Sequence, residues 1–329
     1  MSRRGRRILI GVVSVLLVIV LGAGGTAWWM LDRVSGSIER IPDAFSIPEE
    51  QRPTPAEDGS LNILLAGLDG EDSADEFERG AARTDAIMVL HITAGRDDAY
   101  LISIPRDTWI PIPDHGENKI NAAYSLGGPS LYVQTIEQLA GLRMDHLAVI
   151  DWSGFRALTD ALGGVELEFD TTVVTADDTT YQPGVHVLDG NEALQYVRER
   201  KALPGGDFDR IKRQQNFLRA LMGQLLSDET MSSPGKLWDV AGTIGRAAKV
   251  DEDLSATDMV GLGTSLRGLR SDDLTFLTVP TLGTGWAGSA SIVVYDQENA
   301  DLLWDAVRAD DVEPFLAEHA ELVTGSDVR

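Results

Sequence analysis

The sequence predicts a single three-layer α-β-α domain with a mixed central sheet, preceded by one transmembrane helix. Three observations lead there. From Leu61 onward, short apolar runs of strand length alternate with longer segments of helical periodicity. A turn-forming Gly95-Arg96-Asp97-Asp98 joins two of the strand runs as a hairpin, which places an antiparallel pair in the sheet. Ahead of both, Ile8–Met30 carries no charged residue.

That uncharged run is long enough to span hydrocarbon, which takes about 20 apolar residues. Arg3, Arg4, Arg6 and Arg7 precede it and keep the N-terminus cytoplasmic, and Trp28 and Trp29 sit where an interfacial anchor belongs. The competing reading is a cleaved signal peptide with Gly25-Thr26-Ala27 as its processing site, although such apolar regions usually run about 7–15 residues. Both readings export the remainder of the chain. The expected division is a basic cytoplasmic segment 1–7, a transmembrane helix 8–31, an extracytoplasmic linker 32–60, one folded domain 61–310 and a C-terminal helix or tail 311–329. Pro42, Pro48, Pro53 and Pro55 are the reason for expecting a linker, since they interrupt regular elements.

Within the domain, strands are expected at Leu61–Ala66, Asp85–Ile92, Ala99–Ile104, His146–Ile150, Val165–Phe169, Leu274–Val279 and Ser291–Tyr295, the last two joining the same sheet. Helices are expected at Pro129–Ala140, at Trp152–Leu162 with Gly163-Gly164 as its stop, from an Asp189 cap to Val197, and at Asp209–Leu226. Lys236–Ala247, Thr257–Leu269 and Asn299–Arg308 complete the set.

The formal net charge of -24 removes nucleic acid from the expected partners, because phosphate backbones need a basic face. An anionic ligand must then be held by a local arginine cluster or through a divalent metal. The chain has no cysteine, so disulfides, zinc thiolates and thiol nucleophiles are excluded. No phosphate-binding Gly-x-x-x-x-Gly-Lys loop and no Gly-x-Ser-x-Gly elbow occurs. His91, His115, His146, His186 and His319 lack metal-ligand spacing and read as structural.

Five stretches concentrate charge at element ends. Asp69 follows the first strand in a glycine-rich turn. Arg83 and Asp85 alternate by two and so share one face of an extended chain. Arg106 and Asp107 stand after Pro105 at a strand exit, where open α/β sheets bind ligands. Lys119 is placed to reach a phosphate, and Asn121 to cap a helix. The densest stretch runs from Tyr196 to Gln215. Arg198 and Arg200 would stand about 200° apart on a continuous helix and converge only if it ends there, as Pro204 and Gly205-Gly206 indicate. Asp207 either caps the next helix or binds a metal; Arg210, Arg213 and Gln214 fall on one of its faces. An ordinary amphipathic helix with a basic surface would explain the same residues, but such local density is unusual in so acidic a chain.

In their order and spacing these residues resemble the LytR-CpsA-Psr family. The resemblance is carried by Arg83-Thr84-Asp85, Ser103-Ile104-Pro105-Arg106-Asp107, Lys119-Ile120-Asn121-Ala122-Ala123-Tyr124, and Tyr196-Val197-Arg198-Glu199-Arg200 through Asp207, Arg210 and Arg213-Gln214-Gln215. It implies an enzyme on the outer face of the cell membrane that moves a glycan phosphate (teichoic-acid, capsule or arabinogalactan type) from a polyprenyl pyrophosphate carrier to peptidoglycan. It also implies magnesium at Asp69 and Asp85, and pyrophosphate binding by Arg83, Arg106, Arg198, Arg200 and Arg210. Asp207 and Gln214 match further site residues, and the lipid tail would lie in an apolar channel. The loop from Asp69 to Arg83 is long for the family, so Asp69 is the loosest match. Arg83, Arg106, Asp107 and Asp207 are the residues assigned to the reaction itself, with Asp107 or Asp85 as proton acceptor. A polyprenyl pyrophosphatase and a non-enzymatic lipid-binding envelope regulator are the alternatives.

Overall fold

The computed structural model describes residues 38–69, 84–227 and 242–325. Ile8–Met30 and Arg83 lie outside them. Among the described residues no helix is long and apolar enough to cross a membrane.

In chain order the elements begin with β1 (Glu39–Ile41), β2 (Leu61–Leu68), β3 (Thr84–Ile92), β4 (Ala99–Ser103), β5 (Thr108–Ile112) and β6 (Gly116–Lys119). Then come α1 (Ala122–Ala140), β7 (His146–Ile150), α2 (Trp152–Ala161), β8 (Val165–Phe169), β9 (Val173–Val174), β10 (Thr180–Tyr181), β11 (Gly184–Leu188), α3 (Gly190–Arg198) and α4 (Asp207–Leu225). The last part holds β12 (Ala248–Asp251), α5 (Ala256–Ser265), β13 (Leu274–Thr278), β14 (Thr281–Ala287), β15 (Ala290–Tyr295), α6 (Gln297–Arg308) and α7 (Val312–Glu318).

Seven strands form the central sheet in the order β1-β12-β7-β2-β3-β4-β13, with parallel and antiparallel neighbours mixed. Alternation along each strand decides which helix it meets. Leu64, Ala66, Val89, Ile102 and Leu147 pack with Tyr132, Val133 and Ile136 of α1 and Leu303 and Trp304 of α6. The other face offers Ile63, Ile92 and Ala99 to Leu262 of α5, and Met88, Leu101 and Phe276 to Leu218 of α4. Helices therefore cover both faces, and strands buried on both sides read as near-continuous apolar runs.

Local signals account for several boundaries. Asp189 caps α3 in a reciprocal box with Glu192. Gly163 and Gly164 take φ of +82° and +93°, conformations other side chains resist, and so end α2. The helix expected from Pro129 begins earlier, at Ala122, because Gly127 and Gly128 break its helical angles and allow a kink before Pro129. Asn121 stands at the start of α1, but its side chain makes no capping bond there. The helix expected from Asp209 begins at Asp207. Of Lys236–Ala247, only 242–247 falls among the described residues, and it is helical.

Two expectations need correction. Residues 38–52 are not a solvated linker, and only 54–59 of the described part of the expected stretch are exposed throughout. Ile41, Ala44 and Ile47 enter the main core, β1 pairs with β12, and Arg52 forms an ion pair with Glu137 of α1. The prolines shape this segment without keeping it in water. Second, the late strands do not all join one sheet. β13 does, but β14 and β15 pair with β5 and β6 in a separate four-stranded sheet, order β14-β15-β5-β6. Pro111 and Pro113 hide β5 in the sequence. β5 lies between β15 and β6, and Pro111 is tolerated because β15 pairs only with Thr108 and Trp109, leaving that side of Pro111 without a ladder partner. The C-terminal segment also packs: Val312 of α7 lies in the main core.

Candidate active site

Strand register sets side by side the residues that the sequence scatters. Gly67 pairs with Ile150, Leu68 with Thr84, and Met88 with Ser103. The exit of β2, the start of β3 and the exit of β4 therefore share one end of the sheet. Asp69 follows β2, Asp85 is the second residue of β3, and Arg106-Asp107 form the turn into β5. That turn is fixed from below, where Thr108 Oγ1 donates to the Pro105 carbonyl at 2.6 Å. The first turn of α4 closes the group with Asp207 and Arg210.

Arg106 Nη1 donates to Asp85 Oδ1, and its Nε lies 3.8 Å from Asp207 Oδ1. Arg210 reaches the same two carboxylates, with Nη2 2.7 Å from Asp207 Oδ1 and Nη1 3.9 Å from Asp85 Oδ2. Two arginines and two aspartates thus form a closed alternating ring of charge. Arg210 is 4% exposed. Despite these distances, Arg106 Nε and Arg210 Nε and Nη2 have no hydrogen-bond acceptor, and neither oxygen of Asp207 has a donor aligned with it. Buried polar groups are ordinarily satisfied. An array of unfilled guanidinium donors is a receptor for an anion with several oxygens.

The electrostatics reflect this crowding. Burial opposes the charge on Arg106, but Asp85, by charge and hydrogen bond, and Asp207 outweigh it, so its pKa is raised. For Arg210 burial wins over Asp207, and the nearby Arg106 and Arg200 push the same way, so its pKa is lowered. A guanidinium remains charged regardless. Burial raises the Asp69 carboxyl, and the charge of Asp85 raises it further, against Arg198, Arg106 and Arg210. Asp69 and Asp85 are thus near enough to repel one another, which a divalent cation between them would relieve. Among the described residues no group of three or more metal-binding side chains occurs. A cation at this pair would take its other ligands from water and substrate oxygens, the habit of magnesium. Asp85 at the same time serves both arginines.

Around this centre the other expected residues are arranged differently. Lys119 Nζ binds Asp107 Oδ1 at 2.9 Å, so these two brace the β4–β5 turn together. α3 ends at Arg198, with Glu199 extended and accepting from the Ala202 N–H at 2.7 Å. Arg198 and Arg200 are both exposed and both act electrostatically on the site. Arg198 stacks its guanidinium 3.8 Å from the Trp152 ring centroid. Stacking orients the cation and consumes none of its N–H donors. Gln214 is half-buried one turn beyond Arg210.

Arg213 does not face the ring as its spacing suggested. It donates to the Val174 carbonyl at 2.9 Å and lies over Tyr196. Gln215 points into the sheet and donates to Ser103 Oγ at 2.8 Å and the Leu277 carbonyl at 2.9 Å, pinning α4 beneath the site. Neither supporting role, nor that of Trp152, carries a local sequence signal, since each partner is distant along the chain.

Comparison with known proteins decides the family. The LytR_cpsA_psr family model matches residues 37–309. The chain belongs to this family. It is 31% identical over 331 residues to the cell wall biosynthesis protein LcpA of Corynebacterium glutamicum, covering 88% of this chain and 62% of LcpA. The chain therefore spans about three-fifths of that relative's length. It is 29% identical to the polyisoprenyl-teichoic acid–peptidoglycan teichoic acid transferase TagU of Oceanobacillus iheyensis, covering 87% and 89% of the two chains. The structure of TagT bound to LIIa-WTA shares the fold at a TM-score of 0.59 and 25% identity, over 79% of this chain and 94% of that one. The LytR-CpsA-Psr match begins at residue 37, in keeping with the packed segment ahead of β2.

Proposed function

We propose that this LytR-CpsA-Psr protein is a transferase that moves a glycan phosphate from a polyprenyl pyrophosphate carrier to peptidoglycan on the outer face of the cell membrane. One observation carries the reading. The Asp85–Arg106–Asp207–Arg210 ring stands at the strand exits with buried guanidinium donors unfilled. Family membership supplies the reaction class, with TagU as the transferase relative.

In this reading a sugar hydroxyl of peptidoglycan attacks the phosphorus that bears the glycan. A new oxygen–phosphorus bond forms, the bridging bond of the pyrophosphate breaks, and polyprenyl phosphate leaves. Arg106 and Arg210 hold the phosphate oxygens where charge develops, and the exposed Arg198 and Arg200 hold the remainder of the pyrophosphate. Asp207 keeps Arg210 in place. Magnesium held by Asp69 and Asp85 would supply charge neutralisation at the same oxygens. Each oxygen of Asp85 already faces an arginine, so Asp107, positioned by Lys119, is the better proton acceptor.

The test incubates the full chain with magnesium, a polyprenyl pyrophosphate glycan and peptidoglycan oligomers, and follows products by mass spectrometry. A phosphodiester-linked conjugate is expected. Free glycan phosphate with no conjugate would replace the proposal with a pyrophosphatase.

A further inference from the structure

The β14–β15 hairpin has no part in the chemistry above, yet it is unusual for this chain. Between Asp273 and Asp296 there is no charged residue, although 24% of the chain is charged. Its two most prominent side chains, Leu282 and Trp286, are 69% and 75% exposed. With Thr284 they are the exposed residues of β14, the edge strand of its sheet, where a β-bulge lies between Thr281 and Thr284. Surface leucines scattered singly need no explanation, but an uncharged edge strand exposing both leucine and tryptophan on an acidic protein does.

Register places this hairpin beside the site. β15 runs parallel to β5, with Val293 opposite Thr108, and the Val293 N–H bonds the Asp107 carbonyl at 2.9 Å. Residues 290–292 therefore continue past the start of β5, along the Arg106–Asp107 turn. Trp286, paired with Ser291, stands two strand positions beyond Val293, roughly 7 Å along the strand. The chain also enters the fold at this end of the sheet. Glu39 opens β1 opposite Lys249, which pairs with Val149, level with Ala66 near the exit of β2. The preceding sequence contains the uncharged run Ile8–Met30.

We infer that the β14–β15 hairpin is a second membrane contact, which rests Leu282 and Trp286 in the lipid interface and turns the active site toward the bilayer. Tryptophan favours that interface and leucine the hydrocarbon beside it. The missing acidic side chains remove what would repel the hairpin from an anionic lipid surface. A glycan platform fits less well, because this hairpin supplies no carboxylate, amide or guanidinium to bind sugar hydroxyls. The inference deepens the proposed function, since a polyprenyl-linked donor presents its pyrophosphate at the membrane surface.

The chain contains no cysteine, so one introduced thiol can be labelled uniquely. The full chain carrying Leu282→Cys, or as control Asp272→Cys at the opposite end of the sheet, is labelled with an environment-sensitive fluorophore. Each is reconstituted into phosphatidylethanolamine–phosphatidylglycerol vesicles containing nitroxide lipid. The inference expects a blue shift and loss of most emission at position 282, with neither at 272. Equal quenching at both positions, or none at 282, overturns it. Absence of quenching at 282 together with protection by peptidoglycan fragments would overturn it in favour of a glycan surface. The readout needs no turnover, so it stands or falls separately from the transferase reading.

Discussion

Replacing Arg52 by alanine should destabilise the domain far more than its place in a proline-rich segment suggests. Arg52 donates through Nη2 to Glu137 Oε1 at 2.6 Å and through Nε to Oε2 at 3.1 Å, and also binds the Met144 carbonyl at 2.8 Å. Glu137 accepts in addition from the Met144 N–H at 2.9 Å. The two side chains are 8% and 1% exposed. Removing the arginine leaves a buried carboxylate without its counter-charge, a loss of about 3–5 kcal/mol. For a domain of this size that lowers Tm by on the order of 10 °C. The pair itself is worth much less than the damage done by breaking it, so the joint replacement Arg52→Met with Glu137→Leu should recover part of the loss, the remainder reflecting the Met144 N–H and carbonyl that lose their side-chain partners. Urea unfolding of the parent, both single variants and the double variant measures the coupling. A single-variant loss below about 1 kcal/mol, the size of an exposed pair, would refute the burial argument.

Two further outcomes rest on the same reasoning. Trp152→Leu keeps an apolar contact but removes the ring beneath Arg198, so KM for the donor should rise by about 2- to 30-fold while Tm stays near the parent, and Trp152→Phe should restore part of it. An unchanged KM in Trp152→Leu would show that the stack does not position Arg198. The second concerns His146 and Asp251, 3.3 Å apart. Burial opposes charge on both, yet their hydrogen bond and mutual attraction prevail, raising the histidine above 6.5 and lowering the aspartate below 3.8. The histidine's contribution is full below 6.5 and is lost as pH rises through its raised value. The aspartate's is full above 3.8 and is lost as pH falls through its lowered value. Stability from this pair is therefore greatest between 3.8 and 6.5, and unfolding midpoints across pH should lose that feature in His146→Ala. A pH profile identical in the variant would contradict it.

The central strands were legible because two-sided burial writes them as apolar runs, and the helix stops because glycine and aspartate chemistry is local. Asp69, Asp85, Arg106, Asp207 and Arg210 were legible as candidates because each stands at an element end. Their closure into a ring was not, since it depends on the register of β2, β3 and β4 and on how α4 is anchored by Gln215. The same limit explains the segment before β2. Arg52 meets Glu137 across 85 positions of sequence, and no window around either residue signals the other. The second sheet was missed for a related reason: β5 contains Pro111 and β14 is rich in glycine, so both lack the composition of a strand and owe their pairing to tertiary contact. Arg213 shows the converse error, where helical spacing put three residues on one face but the neighbouring β9 drew one of them away.

The most direct test of the ring at the end of the sheet is the transfer rate of Arg106→Ala, measured beside its urea unfolding midpoint. Arg106 touches Asp85 and Asp207 and offers an unfilled buried donor, so its loss should lower kcat by about 10²- to 10³-fold, as for removal of a preorganised donor to developing charge. The variant should still unfold cooperatively. Near-parent turnover in a folded Arg106→Ala protein would contradict the account and place the chemistry elsewhere on the chain.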